Sequence, residues 1–375
     1  MRDTIRTLFQ GIIPWLHEHV RPNASAKEAR IEMWESTNPQ QLRANGPKVT
    51  ALGGGTGLST LLRGLKNYTT NLAAIVNVTD DGGSSGRLRE NLGMLPPGDI
   101  RNCLLALANT EPLLEKVFQH RFMAGDGLEG HTLGNLFLAA LTEEFGFEEA
   151  VLAASRVLAV SGDVLPVTLE KLTLVAELTD GRVVRGESHI SQAGGPIGKL
   201  YLEPATSTIY PLARQAILDA ELVVVGPGSL YTSVLANLLV PGMVDTLRAT
   251  TAQRVYICNV MTQPGESDYF TAADHLQAIH NHVGENIFDS VLINGNLTIP
   301  PALLQKYAEE GATPVQPDLA QLKKMGVRVV EADMLSQIAV VRHDPDKLAQ
   351  AILTKVMCQH ASLGKAKSKW NFLSR

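Results

Sequence analysis

The residues best suited to chemistry in this chain stand in a few short, glycine-rich stretches. The first is Gly53-Gly54-Gly55-Thr56-Gly57, which follows an apolar run at 49–52 and precedes an apolar helical pattern from Leu58. That order reads as a buried strand, a tight turn and a helix start. The free N–H groups of a helix start, with about half an elementary charge from the helix dipole, suit a phosphate or another anion. Glycine lets the backbone approach such a ligand closely and take positive φ where needed. The same order also serves as a plain structural turn in an α/β protein. Spacing narrows the ligand. Gly53, Gly55 and Gly57 make a G-x-G-x-G array, Leu58 stands where a dinucleotide fingerprint has its third glycine, and no Gly-Lys-Ser/Thr follows to complete a P-loop.

The second stretch is Thr79-Asp80-Asp81-Gly82-Gly83-Ser84-Ser85-Gly86-Arg87-Leu88-Arg89, directly after an apolar run at 72–78. Ligands of doubly wound sheets bind beyond the carboxyl ends of the strands, so these residues share a rim with the first turn. Asp80 and Asp81 fall near the acidic position that often meets a ribose. Two adjacent carboxylates with serines and an arginine also suit Mg²⁺ and a phosphate. Asp-Asp-Gly-Gly is equally good turn chemistry. Leu95-Pro-Pro-Gly-Asp99-Ile-Arg101-Asn102 follows, with Asp99 expected either as the N-cap of a helix at 100–108 or as a ligand-facing carboxylate. Arg101 and Asn102 fall in the first turn of that helix. His131-Thr-Leu-Gly-Asn135 opens another helix, where the histidine is either structural or part of the cleft. Gly226-Pro-Gly228-Ser229-Leu-Tyr-Thr-Ser233 repeats the strand, glycine turn and helix start, and its hydroxyls suit a phosphate.

Positioning these stretches requires repeated strand–turn–helix units. Buried strands are expected at 49–52, 72–78, 220–225, 254–260, 290–294, 327–330 and 338–341, the last running into Arg342-His343-Asp344. Helices are expected at 100–108, 113–122, 133–145, 234–239 and 346–357. Residues 90–160 read as a helical insertion. Three short strands at 164–168, 172–178 and 183–187 read as an antiparallel excursion with a hairpin turn at 179–182. The whole predicts a three-layer α/β/α Rossmann-like sandwich on a mostly parallel sheet. Residues 48–357 are expected to be one large domain. Residues 1–47 read as an extension, an amphipathic helix plus a turn-rich linker, and residues 358–375 as a basic tail.

Composition excludes several classes. The apolar share of 45% is ample for a core, and 33 Lys and Arg against 38 Asp and Glu give a net charge of −5, unlike a typical nucleic-acid binder. Cys103, Cys258 and Cys358 are widely spaced and lack metal-ligand spacing, which fits a reducing, cytoplasmic setting without a disulfide framework. No apolar stretch reaches the ~18–20 residues that span a bilayer, and no signal peptide is expected.

Taken together, Gly53-Gly-Gly-Thr-Gly-Leu-Ser59, Thr79 to Arg89, Leu95 to Asn102, His131 to Asn135 and Gly226 to Ser233 resemble the CofD-like family, and more narrowly its YvcK branch of gluconeogenesis factors. The resemblance covers about residues 48–357. It implies a Rossmann-like domain, a cytoplasmic location and frequent homo-oligomers. The CofD branch transfers a phospholactyl group from a nucleotide-activated donor to a deazaflavin with Mg²⁺. The YvcK branch is associated with UDP-sugar binding, cell shape and growth on gluconeogenic carbon. This chain has Gly-Pro-Gly-Ser where the transferases carry Gly-Pro-Ser-Asn. The resemblance therefore favours a UDP-sugar-binding regulator. In that reading Gly54, Gly55, Thr56 and Gly57 hold one edge of the nucleotide, Gly226, Gly228 and Ser229 the other, and Arg342 pairs with the diphosphate. The alternative is a Mg²⁺-assisted transferase with the metal at Asp80 and Asp81. Asp80, Asp81, Ser84, Ser85, Arg87, Asp99, Arg101, Asn102, His131 and Asn135 complete the candidate set. A Rossmann oxidoreductase fits poorly, because the glycine spacing is wrong.

Overall fold

The apolar run before the first glycine cluster forms β1 (Val49–Gly53), buried along its whole length. It occupies the middle of a seven-stranded parallel sheet in a computed structural model that describes residues 43–109, 111–336 and 340–357. The amphipathic helix expected near the N-terminus, the start of the strand expected from Ile338, and the basic tail lie outside the described residues.

The sheet grows from β1 in two directions. On one side lie β2 (Leu72–Val76) and β3 (Asp163–Pro166); on the other lie β7 (Leu222–Val225), β8 (Gln253–Ile257), β9 (Ser290–Asn294) and β10 (Arg328–Ala332). The chain winds outward from β1 to β3 and returns to β7, so the winding reverses between β1 and β7. A reversal of this kind opens a crevice at the carboxyl ends of the two strands, because their outgoing connections leave on opposite faces. Both glycine turns follow those two strands.

Strand alternation builds the three layers. Leu52, Val223, Val225, Tyr256, Val291 and Ile293 enter one core, while Ala51, Leu222, Val224, Val255, Ile257 and Leu292 enter the other. Neighbouring residues thus point to opposite faces, as a period of two requires. Both faces are buried, and the strands accordingly read as continuous apolar runs.

The antiparallel excursion is smaller and differently placed than expected. β3 is a parallel edge strand of the main sheet, paired with β2 from Ala73↔Asp163 to Val76↔Pro166. The antiparallel sheet is a separate unit of β4 (Thr173–Leu178), β5 (Val183–Arg185) and β6 (Ile197–Glu203), in the order β5-β4-β6. β6 escapes the sequence pattern because a register shift at Glu177/Leu178 exposes both Gly198 and Lys199 in succession and breaks the alternation. The segment between β2 and β3 is helical, with helices Gly83–Leu92, Gly98–Leu107, Pro112–Gln119, Leu133–Phe145 and Phe147–Val157. The helix expected from Val234 begins earlier. Ser229 caps a π-helical stretch at Leu230–Leu235 by accepting the Thr232 N–H, and a short α-helical turn, Ala236–Leu238, continues it. Of the strand expected at 338–341, the described residues 340 and 341 are not in a strand; the strand described there is β12 (Arg342–His343), paired with β11 (Leu335–Ser336). Among the described residues no single helix is long and apolar enough to cross a membrane.

The two glycine turns pack backbone against backbone. A Cβ on Gly57 would collide with the carbonyl of Pro227. Gly57 sits in the first turn of the helix Gly55–Leu65, where alanine in place of glycine would ordinarily gain up to about 1 kcal/mol. A clash with backbone has no side chain to yield, and overpacking costs about 1–3 kcal/mol. Gly57→Ala is therefore expected to destabilise the protein, read as a lower urea midpoint at unchanged m; a raised midpoint would show that the turns are not in contact.

Candidate functional site

The first turn is shaped by two residues. Gly55 takes φ of +60°, open to glycine, and lets the chain turn from strand to helix. Asp99 Oδ2 then accepts the Gly55 N–H at 2.6 Å. Asp99 was expected either to cap its own helix or to face a ligand. The helix starts two residues earlier than expected, at Gly98, behind Pro97, and no side chain caps it. The freed carboxylate reaches across to the start of another helix. Asn237, fully buried, donates to the carbonyls of Gly53 and Ser233 at 3.0 and 2.8 Å.

The second turn is fixed by side chains that the sequence reading did not select. Asn259 Nδ2 donates to the Gly228 carbonyl at 2.7 Å, and its Oδ1 accepts the Gly228 N–H at 3.2 Å. Ser229 Oγ donates to Glu266 and accepts from Thr232 N–H and Oγ1, so its hydrogen-bonding capacity is full. Gly228 and Ser229 line the cleft with their polar groups already engaged by Asn259, Thr232 and Glu266. Asn259 follows the carboxyl end of β8, beside the switch point, which is the one signal that singles it out.

Between the turns lies a cleft of about 540 Å³, lined by Gly54, Gly55, Thr56, Gly57, Gly228, Ser229 and Arg342 and floored by Asn259, Val260 and Met261. Arg342 is exposed, and among the described residues it has no ion-pair partner. The rest of the Arg-His-Asp run is used differently. Burial drives the His343 pKa down to about 4 against an opposing hydrogen bond to the Cys258 backbone, so the ring is neutral at physiological pH. Asp344 caps the helix Pro345–Ala351 by accepting the Asp346 and Lys347 N–H groups.

Arg101 and Asn102 line a neighbouring cleft, while Asp80, Asp81, Ser84, Ser85, Arg87, Asp99, His131, Asn135 and Gly226 line neither. Gly226 ends β7, donating to Leu52 O at 2.9 Å. Ser84, His131 and Asn135 bond to one another: Ser84 Oγ meets His131 Nδ1 and accepts from Asn135 Nδ2, each at 2.9 Å. Arg101 donates to Asn135 Oδ1 at 2.8 Å, Ser85 Oγ accepts the Gly98 N–H at 3.2 Å, and Arg87 holds the Glu129 carbonyl. These contacts lock the helical segment against the Asp80 loop.

Magnesium at Asp80 and Asp81 can be tested against the geometry. Asp81 Oδ1 accepts the Ser188 N–H at 2.8 Å and its other oxygen lies against Gly186, whereas Asp80 Oδ1 accepts the Gly82 N–H at 3.0 Å. The two carboxylates diverge, and among the described residues no group of three or more His, Cys, Asp or Glu is placed to hold a metal ion. The pair does not fit a shared Mg²⁺, which needs oxygens converging in near-octahedral order. Asp80 faces Asp99 and Glu187. Burial raises Asp99 to about 6, opposed by the Gly55 hydrogen bond and reinforced by Asp80. Burial also holds Glu187 well above the usual carboxylate range against its bond from Thr79, with Asp80, Asp99 and Asp81 adding to the rise. Glu187 had no sequence signal, since it follows a short strand that itself carries no motif.

The comparisons with known proteins agree with this architecture. The family model described as 2-phospho-L-lactate transferase CofD matches residues 49–335. A gluconeogenesis factor of Bacillus subtilis is 49% identical over 309 residues, covering 82% of this chain and 97% of that protein. One from Halalkalibacterium halodurans is 50% identical over 307 residues, covering 81% and 95%. A crystal structure of a Bacillus halodurans protein superposes with a TM-score of 0.80 at 49% identity, covering 82% of this chain and 99% of that one.

The buried carboxyls make a pH prediction. Asp99 binds its proton more tightly folded than unfolded, so the folded state takes up protons between pH 3.8 and about 6. Stability is then lost as pH rises through that window and is level above it as far as Asp99 is concerned. Asp99→Asn keeps an acceptor for Gly55 and removes the titration. Urea midpoints measured from pH 4 to 7 are expected to fall less steeply in Asp99→Asn than in the wild type; parallel profiles would refute the assignment.

Proposed function

Because the chain belongs to the CofD family and stands with its gluconeogenesis factors, we propose that the cleft between its two glycine turns binds a nucleotide sugar, a UDP-sugar in particular. The observation that carries the reading is the lining itself: two turn backbones and the unpaired Arg342 face one space of about 540 Å³. That volume lies within the range of small-molecule sites. The Gly55 N–H is taken by Asp99, so the remaining N–H groups of the first turn, at Thr56 and Gly57, meet the diphosphate. Arg342 presents a planar fork suited to two phosphate oxygens. The protein senses the nucleotide sugar in the cytoplasm and acts as a homo-oligomeric regulator of carbon metabolism, cell envelope and cell shape. A regulatory role is supported by the way Ser229 and Asn259 are spent on holding the second turn.

A second reading, a 2-phospho-L-lactate transferase-like enzyme, is favoured by the description of the matching family model. Incubation with guanosine-diphospho-phospholactate and a deazaflavin, read by mass spectrometry, separates the two. The regulator reading expects no product, and a phospholactyl-deazaflavin would replace it.

Titration calorimetry with UDP-N-acetylglucosamine tests the proposal directly. The wild type is expected to bind, and Arg342→Ala to bind at least about tenfold more weakly, the worth of a charge-assisted contact. Equal affinity in both proteins, or no binding in the wild type, refutes it.

A further inference from the structure

A second cleft, also of about 540 Å³, adjoins the first and shares Thr56, Thr60, Arg342 and His343 with it. Its wall carries Arg63, Arg101, Arg121 and Arg342, and among the described residues no aspartate or glutamate lines it. We propose that this arginine-lined cleft is a separate binding site for a small phosphorylated molecule, distinct from the site between the glycine turns.

Charge carries the inference first. The protein as a whole has a net charge of −5, yet four guanidinium groups converge here. His343 on the shared wall is neutral at physiological pH. Among the described residues one carboxylate forms an ion pair with them: Glu115 pairs with Arg63 at 2.9 Å. The other three form no ion pair among the described residues, although Asp99 and Asp80 lie near enough to Arg101 to oppose the lowering of its pKa. Grouping like charges costs energy in the empty protein, and a bound polyanion removes that cost while gaining fork-to-phosphate hydrogen bonds.

Preorganisation carries it second. Arg101 is held by Asn135 Oδ1 and Asn102 Oδ1, each at 2.8 Å, and by Thr132. Its Nε is buried with no hydrogen-bond partner among the described residues. Arg121 is anchored through the Gly130 carbonyl, and it lies close enough to Arg101 to add to the depression of that residue's pKa, which burial dominates. These arginines are positioned by the helical segment between β2 and β3, whereas the glycine turns are positioned by the sheet. The ligands of the two clefts are therefore read by different parts of the fold, with Arg342 common to both. Arg101 and Asn102, which the sequence placed in one site with the glycine turns, belong to this second site.

Calorimetric titration of the full chain with inorganic pyrophosphate tests the assignment. Saturable binding is expected in the wild type, with a loss of about tenfold or more in Arg121→Ala. Arg182→Ala, an exposed arginine that lines neither cleft, is expected to leave pyrophosphate affinity unchanged. Arg63→Ala provides a second variant on the same wall, and thermal melts confirm that each variant is folded. No saturable binding in the wild type, undiminished binding in both cleft-arginine variants, or an equal loss in Arg182→Ala overturns the proposal. Failure of UDP-N-acetylglucosamine to bind would sink the nucleotide-sugar reading and leave this result untouched, because that ligand does not enter the titration.

Discussion

Much of the molecule depends on one close contact: two glycine turns meeting backbone to backbone at the point where the sheet reverses its winding. Gly57 lies under the Pro227 carbonyl, and the Gly226 N–H continues the β1–β7 ladder to Leu52 O. Each turn is then secured from behind by an amide, the fully buried Asn237 for the first and the half-buried Asn259 for the second. Such amides are costly to bury unless bonded, so they tie the turns to one arrangement. The two turns that border the cleft are consequently held in one arrangement.

Charge is divided across that contact. Behind the first turn sit Asp80, Asp99 and Glu187, with Asp99 using one of the helix-start N–H groups. An internal carboxylate there competes with any anionic ligand for the same dipole. Burial and mutual repulsion raise Asp99 and Glu187, which moderates the negative charge that stands behind the turn. Arg101, on the wall of the second cleft, lies near enough to Asp99 to oppose that rise.

What could be read from the sequence follows from how local each feature is. The strands were legible because both faces of a parallel sheet are buried, leaving apolar runs that end in glycine. The two turns and Arg342 were legible because turn chemistry is local and strand ends share a rim. β6 was not, since a register shift hides its period. Asp99 was open to two readings, a cap of its own helix or a ligand-facing carboxylate, and neither reached Gly55, because capping rules see only the local helix and Gly55 is 44 residues away. Glu187 carries no local signature and Asn259 only its place after a strand end; the packing of distant segments gives them their roles. The separation of Arg101 and Asn102 from the glycine turns likewise depends on where the helical segment folds.

Arg342 illustrates how packing turns a motif into a site. In the run from Val341 to His343 the exposure alternates, with Val341 and His343 buried and Arg342 out, as the pleat of β12 demands. The pairing Ser336↔Arg342 and Leu335↔His343 fixes that phase. A shift of one residue would bury the guanidinium and turn the imidazole to solvent, exchanging a permanent cation for a group that is uncharged at neutral pH. Asp344 then ends the hairpin by capping the next helix, which packs on the helix leaving the first glycine turn. The cation that faces the cleft is thus held to the cleft's own floor through one continuous run of structure, and its position is set by the same packing that brings the two turns together.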